Sequence, residues 1–280
     1  MTQLTLCQFR FSPYNEKVRW ALDLKCVPHQ RRSLLPGPHR FYLRPRTGRT
    51  STPALHTDAG WMTGSAAILD FLEARYPTPA LAPAESGQYA FSADLERRFD
   101  EDWGPRLRRS VLAALLTDLD YLCRCFAAGK PATSRALYRA TLPFAAGLIR
   151  AGNGIDPDSA ADGMKAAWEA LNFVEGALQG RPYLCGEGFS RADLVAASHL
   201  AVLCDPPLSA MKWPQPRPNA LRDLCDRFAD HAAVRWTLNI YARHRPAIVD
   251  FEGAAQSGAP PGGRMERAGG IEPPTFSLGS

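Results

Sequence analysis

Phe11-Ser12-Pro13-Tyr14-Asn15-Glu16-Lys17-Val18-Arg19 is the stretch that decides how this chain is read. It follows a short apolar run with strand character, Leu4-Thr5-Leu6-Cys7-Gln8-Phe9, and it opens a helix. Ser12 is of the type preferred at a helix N-cap, and Pro13 of the type preferred at the first helical position, where its missing N–H costs nothing. The unpaired amides and the positive dipole end that follow suit an anion, and a thiolate is such an anion. Ser12 therefore has two readings: a cap on a helix, or a hydroxyl turned towards a ligand.

Working outward, the first 76 residues alternate strand and helix signals: strand 3–9, helix 13–25, strand 29–34, an irregular stretch bearing Pro and Gly, strands 53–56 and 60–63, and helix 65–76. Asp58-Ala59-Gly60 supplies the turn between the last two strands, because Gly accepts the positive φ that a hairpin loop commonly needs. Ser51-Thr52-Pro53-Ala54-Leu55 places a proline at a strand start, where an edge strand tolerates it. Trp61-Met62-Thr63-Gly64-Ser65-Ala66 ends a strand in a second helix start with a hydroxyl, and Ser65 or Thr63 serves as its cap.

Beyond a proline-bearing linker, 78–88, the pattern turns to helices without strands. Leu95, Phe99, Trp103, Leu107, Val111, Leu115 and Leu122 share one face of what the spacing predicts as a single long helix. Further helices are expected over 134–150, 160–178, 191–203, 220–229 and 234–243. Phe189-Ser190-Arg191-Ala192-Asp193-Leu194 has Ser190 and Asp193 at capping-box spacing, with Phe189 and Leu194 placed as a hydrophobic staple. His199, among Leu, Ala and Val on that helix, reads as a core histidine. The tail 251–280 is rich in Gly and Pro, has few large apolar residues, and is expected to be disordered.

The segments around Ser12, Thr52-Pro53 and Gly64-Ser65 together resemble the glutathione-binding half of the cytosolic glutathione transferases, with a serine where omega-like relatives carry a reactive cysteine. The resemblance implies an α/β thioredoxin-like domain over 1–77 and an all-α helical bundle over 89–250. It implies glutathione as co-substrate, Ser12 as the catalytic hydroxyl beside its sulfur, and Thr52 pairing its backbone with the cysteinyl part ahead of a cis Pro53. Ser65 would take the γ-glutamyl carboxylate, and Asn15 would add an amide donor or remain a polar residue of the first turn. Many relatives have Glu, Asp or Gln where this chain has Gly64, so the ligand's ammonium needs another partner, with Asp100 or Asp102 of a second subunit as candidates. A pocket for a small apolar electrophile would lie among Phe11, Tyr42, Trp103, Arg106 and Arg109, each of which also reads as a core or solvated position. A hydroxyl forms no mixed disulfide, which favours conjugation or isomerisation over thiol–disulfide exchange. The resemblance further implies a homodimer. The rival functions are a binding or scaffolding protein with a weakened site, and a glutathione-dependent thiol reductase using another cysteine.

Composition agrees. The chain has 280 residues, 45% of them apolar, enough for two cores. Its net charge of +5 comes from basic residues with no run of five, which argues against nucleic acid as a partner. The cysteines are seven, an odd number with no C-x-x-C pair, so neither disulfides nor a metal site are expected. The longest apolar stretch, near 194–204, is too short to span a bilayer, and no leader precedes an apolar run, so a cytoplasmic protein without membrane partners is expected.

Overall fold

The computed structural model describes residues 4–246; the predicted tail 251–280, the end of the predicted helical domain at 247–250 and the first residue of the strand expected from residue 3 lie outside the described residues. β1 (Leu4–Gln8) lies inside a four-stranded sheet of order β2-β1-β3-β4. It runs parallel to β2 (His29–Ser33) and antiparallel to β3 (Ala54–Thr57), which pairs antiparallel with β4 (Gly60–Thr63). Side chains alternate across a strand, and here the alternation sorts the two faces. Leu4, Leu6 and Leu55 enter the main core, while Cys7 and Ala54 meet Leu43 on the other face. The hairpin turns at Gly60, whose φ of 113° is open to glycine at little cost.

α1 (Pro13–Leu24) and α3 (Ser65–Arg75) pack against each other, with Val18, Leu22, Ile68 and Leu72 fully buried. Truncating a core leucine of this kind to alanine costs about 2–5 kcal/mol. α2 (His39–Thr47) occupies the stretch expected to be irregular. With Leu43 as its one buried residue and Pro45 inside it, α2 offers no apolar period for sequence reading to find.

The expected long helix is broken into α4 (Ser86–Arg98), a π-helical turn (Phe99–Trp103), α5 (Gly104–Leu115) and α6 (Leu119–Phe126). The first break has a chemical cause: Pro105 has no N–H to give the preceding turn, and the Gly104 N–H reaches back five residues to the Phe99 carbonyl. The second is capped by Asp118, whose carboxylate accepts from the Tyr121 N–H at 2.8 Å. The apolar stripe itself is as expected, with all seven residues from Leu95 to Leu122 buried.

α7 (Ala132–Asn153) folds back along α6, and α8 (Pro157–Leu178) packs along α5. α9 (Arg191–Cys204) is buried from Ala192 to Leu203 and packs against α1, α4 and α11 (Ala232–His244), while α10 (Asn219–Asp226) closes on α5. Asp193 accepts from the Ser190 N–H at 2.9 Å, the Ser190 hydroxyl at 2.7 Å and the Leu184 N–H at 2.8 Å. Phe189 stacks on Trp20 and on His244, so the residue placed as a staple ties α9's start to α1 and α11.

The seam between the sheet half and the helical half holds buried charges. Lys17 bonds Glu96 at 2.8 Å and Asp100 at 2.7 Å, and Arg245 bonds Glu16 at 3.0 Å and Asp23 at 2.8 Å. Burial alone raises the Glu16 carboxyl, but the Arg245 and Arg19 guanidinium groups outweigh it and hold the group below its ordinary value. His199 is buried in the core as expected, with Nδ1 3.0 Å from the Val195 carbonyl; burial, with Lys17 nearby, pushes it down to about 3, so it is neutral.

Candidate functional site

Ser12 lies between β1 and α1 in extended conformation, with φ −154° and ψ 121°. Its carbonyl accepts from the Asn15 and Glu16 amides at 3.1 and 2.9 Å, but its side chain makes no capping bond. The loop ahead of it is held from beneath by Arg19, fully enclosed, which donates to the carbonyls of Phe9 (3.1 Å) and Arg10 (3.0 Å), to Gln8 Oε1 (2.9 Å) and to Glu16 (2.8 Å). Nothing in the linear motif indicated that Arg19 would carry this loop.

Two hydrogen bonds join the three sequence segments. Asn15 Nδ2 donates to Thr52 Oγ1 at 3.1 Å, and the Gly64 N–H donates to the Pro53 carbonyl at 3.3 Å. The Thr52–Pro53 peptide is cis. Asn15 is buried with its amide N–H directed at Thr52, so in this structure it ties the site together. Gly64 precedes α3 with φ 95°, and Ser65 is its first, buried residue, beside the free amides of the helix start. A helix N-terminus on each side of a fixed turn offers backbone donors and dipoles to two anionic groups.

The five residues expected around the second substrate do not converge. Phe11 borders Ser12 in sequence and stacks on Trp213 (ring centroids 4.8 Å apart), with Phe126 edge-on at 6.0 Å. Tyr42 is clasped between Arg32, which bonds its hydroxyl, and Arg46, whose guanidinium lies 4.0 Å from its ring centre. Trp103 is buried against Phe99 and Phe173. Arg106 is engaged by Asp162, Glu169 and Asp102, and Arg109, half-buried one turn on, lies in the field of Asp156 and Asp162. Asp100, considered for a ligand ammonium across a subunit boundary, is taken by Lys17 of its own chain. Phe126 and Trp213 were missed because they reach Phe11 from helix ends and loops far along the chain, with no local pattern.

Among the described residues all seven cysteines are free. Cys7, in β1, is buried and its thiol is pushed up to about 11 by that burial, the reverse of what a nucleophilic cysteine requires.

Residues 6–80 match the glutathione S-transferase N-terminal domain, and residues 154–232 match the glutathione S-transferase C-terminal domain. No curated protein sequence matches significantly. Among solved structures, a glutathione S-transferase from Rhodospirillum rubrum F11 is 18% identical with a TM-score of 0.58, covering 86% of this chain and 89% of its own. The theta class glutathione S-transferase from Xanthomonas axonopodis pv. citri with glutathione bound is 18% identical with a TM-score of 0.52, covering 85% and 98%. A maleyl pyruvate isomerase described as a bacterial Zeta class glutathione S-transferase is 21% identical with a TM-score of 0.52, covering 84% and 97%.

Proposed function

From the premise that this chain belongs to the glutathione S-transferase family, we propose that it binds glutathione at the corner formed by Ser12, Thr52-Pro53 and Gly64-Ser65 and delivers the thiolate to a small electrophile. The observation that carries the reading is the pair of bonds, Asn15 to Thr52 and Gly64 to Pro53, that ties three segments distant in sequence into one corner. The Ser12 hydroxyl, unspent on its own helix, donates to the sulfur. A free thiol with a pKa near ~8.5 is only a few per cent ionised at neutral pH, and a hydroxyl donor at a helix N-terminus favours the anion. The thiolate forms a bond to the electrophilic carbon, and the displaced group leaves with its electron pair. Thr52 holds the cysteinyl backbone, and the start of α3 with Ser65 holds the γ-glutamyl carboxylate. Phe11, backed by Phe126 and Trp213, gives the electrophile an apolar wall. The working unit is a homodimer in the cytoplasm.

The test is glutathione binding by calorimetry together with turnover of a generic aryl halide. Wild type is expected to bind at or below millimolar concentration and to conjugate. Given oxidised glutathione, the Ser12→Cys variant is expected to exchange into a mixed disulfide with release of one reduced glutathione, visible in intact mass, at the expense of conjugation. A wild type that binds no glutathione at millimolar concentration ends the catalytic reading in favour of a scaffold with a transferase fold.

A further inference from the structure

No aspartate or glutamate occurs between Asp23 and Asp58, and none between Asp120 and Asp156. Each of these acid-free windows contains one exposed helix, α2 in the first and α7 in the second. The most exposed large apolar side chains of the described residues are Phe41 (86%), Phe144 (79%), Leu137 (69%) and Leu148 (63%), and all four stand on these two helices. The two helices are approached from one corner of the fold: His39, first in α2, and Phe126, last in α6 before α7, both lie against the ring of Phe9 at 4.8 and 6.1 Å.

The arrangement on each helix is specific. At about 100° per residue, Leu137, Phe144 and Leu148 fall within about 40° of one another on α7, flanked by the small uncharged Ala140, Thr141 and Gly147. Arg135, Arg139 and Arg150, the only charged residues of α7, lie on the opposite side. On α2, Phe41 projects with Pro45 one turn on, between Arg40 and Arg44 on one side and Arg46 on the other. No carboxylate of the described residues pairs with Arg40, Arg44 or the following Arg49, whereas Arg97, Arg98, Arg106 and Arg191 elsewhere are all paired.

We propose that α7 and α2 form a peripheral docking surface for an anionic lipid bilayer, with the uncharged face of α7 and the ring of Phe41 seated at headgroup depth and the arginines of α2 drawn to anionic headgroups. A long helix with one apolar face, arginine on the other and no acid has the form of an interfacial helix, and an aromatic tip ringed by guanidinium groups is its natural second contact. Charge decides among occupants. A second copy docked here sets positive helices against positive helices, with Asp120, the acid beside α7, already held by Arg139 at 2.7 Å, and a nucleic acid matches the arginines but leaves the α7 stripe without use. Peripheral docking needs no spanning segment, so neither the absence of one among the described residues nor the expectation of no membrane partner drawn from the sequence bears on it. The surface is independent of the thiolate chemistry at Ser12.

The experiment is co-sedimentation of the full chain with vesicles of phosphatidylcholine alone and of phosphatidylcholine with phosphatidylglycerol. Binding is expected to the second at low ionic strength, with little to the first and progressive release as salt is added. Arg40→Gln with Arg44→Gln should weaken partition by about thirtyfold, the loss of two arginine contacts at an anionic surface. Phe144→Ser with Leu148→Ser should abolish the part of binding that survives salt; both pairs are exposed, and an unchanged melting temperature verifies the fold. No sedimentation with phosphatidylglycerol vesicles, or binding indifferent to both pairs, overturns the proposal. So does a mass by light scattering that falls from dimer to monomer in Phe144→Ser while vesicles are ignored, since that assigns the face to a second copy.

Discussion

α1 and α9 begin alike, with a serine in extended conformation ahead of the first turn, yet the two serines are spent differently. The Ser190 hydroxyl and amide both end on Asp193, which also takes the Leu184 amide, closing a buried ring in which each donor has its acceptor. The Ser12 hydroxyl caps nothing, while its helix is anchored instead by Arg19 and Asn15 from below. A saturated ring at a helix start is architecture; an unspent hydroxyl on a loop braced by other residues is free for a ligand. The same sequence signature is therefore spent at Ser190 and left unspent at Ser12, and the difference lies in the partners that tertiary structure supplies.

The largest test of this contrast is Asp193→Ala. It leaves the Leu184 and Ser190 amides and the Ser190 hydroxyl without their acceptor, and the expected loss is about 3 kcal/mol of stability, read from the denaturant midpoint at constant m value. Activity should fall only as far as unfolding explains; an unchanged midpoint with lost turnover would move Asp193 into the site and erase the contrast. Ser12→Ala is the mirror experiment. Stability should stay within about 0.5 kcal/mol, and conjugation should fall roughly ten- to a hundredfold, the worth of one hydrogen bond to an anion, with glutathione affinity nearly kept. A melting temperature lowered by several degrees with turnover intact would make Ser12 a cap like Ser190.

Much of the fold was legible because it rests on periodicity. The apolar seven from Leu95 to Leu122, the β1–α1 start and the Ser190–Asp193 box all announce themselves within a few residues, and each is where the spacing puts it. What escaped lacks a local signature. α2 has one buried residue and an internal proline, and the π-helical turn follows from Pro105 within an otherwise unbroken stripe. At the candidate site, the sequence named the segments but not their bracing: Arg19 reads as one more basic residue until its bonds to the Phe9 and Arg10 carbonyls are seen. Trp103 and Arg106 read as pocket residues because they share a long helix, whereas the packing of α5 on α8 turns them to Phe173 and to Asp162 and Glu169.

A smaller, pH-dependent effect sharpens the architectural side of the comparison. Burial raises the Asp193 carboxyl to about 6, against the Leu184 and Ser190 hydrogen bonds that pull it down. The folded value lies above the unfolded one of about 3.9, so the folded protein keeps this proton longer. Its contribution to stability is complete below pH ~4 and is lost as pH rises through 6, at no more than roughly 1.4 kcal/mol per pH unit. His199, held near 3 by burial, works in the other direction: its unfolded form takes a proton first as pH falls below ~6.5, and stability drops with it. Asp193→Asn keeps His199 and removes only the carboxyl's titration, so wild-type stability minus that of the variant should decline from pH 4 to pH 6. A rising difference would mean that the three donors favour the carboxylate more than burial disfavours it.

The smallest expected effect concerns a third helix start, α3, which stands between the other two. Its serine is inside the first turn, and Gly64 ahead of it has φ 95° with no atom within 4 Å of where a side chain would begin. Gly64→Glu therefore has room for its side chain, at a backbone cost of about 1–3 kcal/mol, since φ 95° with ψ 129° is a conformation that residues other than glycine rarely adopt. If α3 receives the γ-glutamyl end of glutathione, the new carboxylate finds the ligand's ammonium beside it. An exposed pair of this kind is worth about 1 kcal/mol, so affinity should rise roughly fivefold while the melting temperature falls. Raised salt should erase the gain, since the pair is open to solvent. A variant that folds and loses stability as expected but binds glutathione no better would place the ammonium elsewhere, and α3 would then belong with α9 as architecture, leaving Ser12 as the one helix start that faces a ligand.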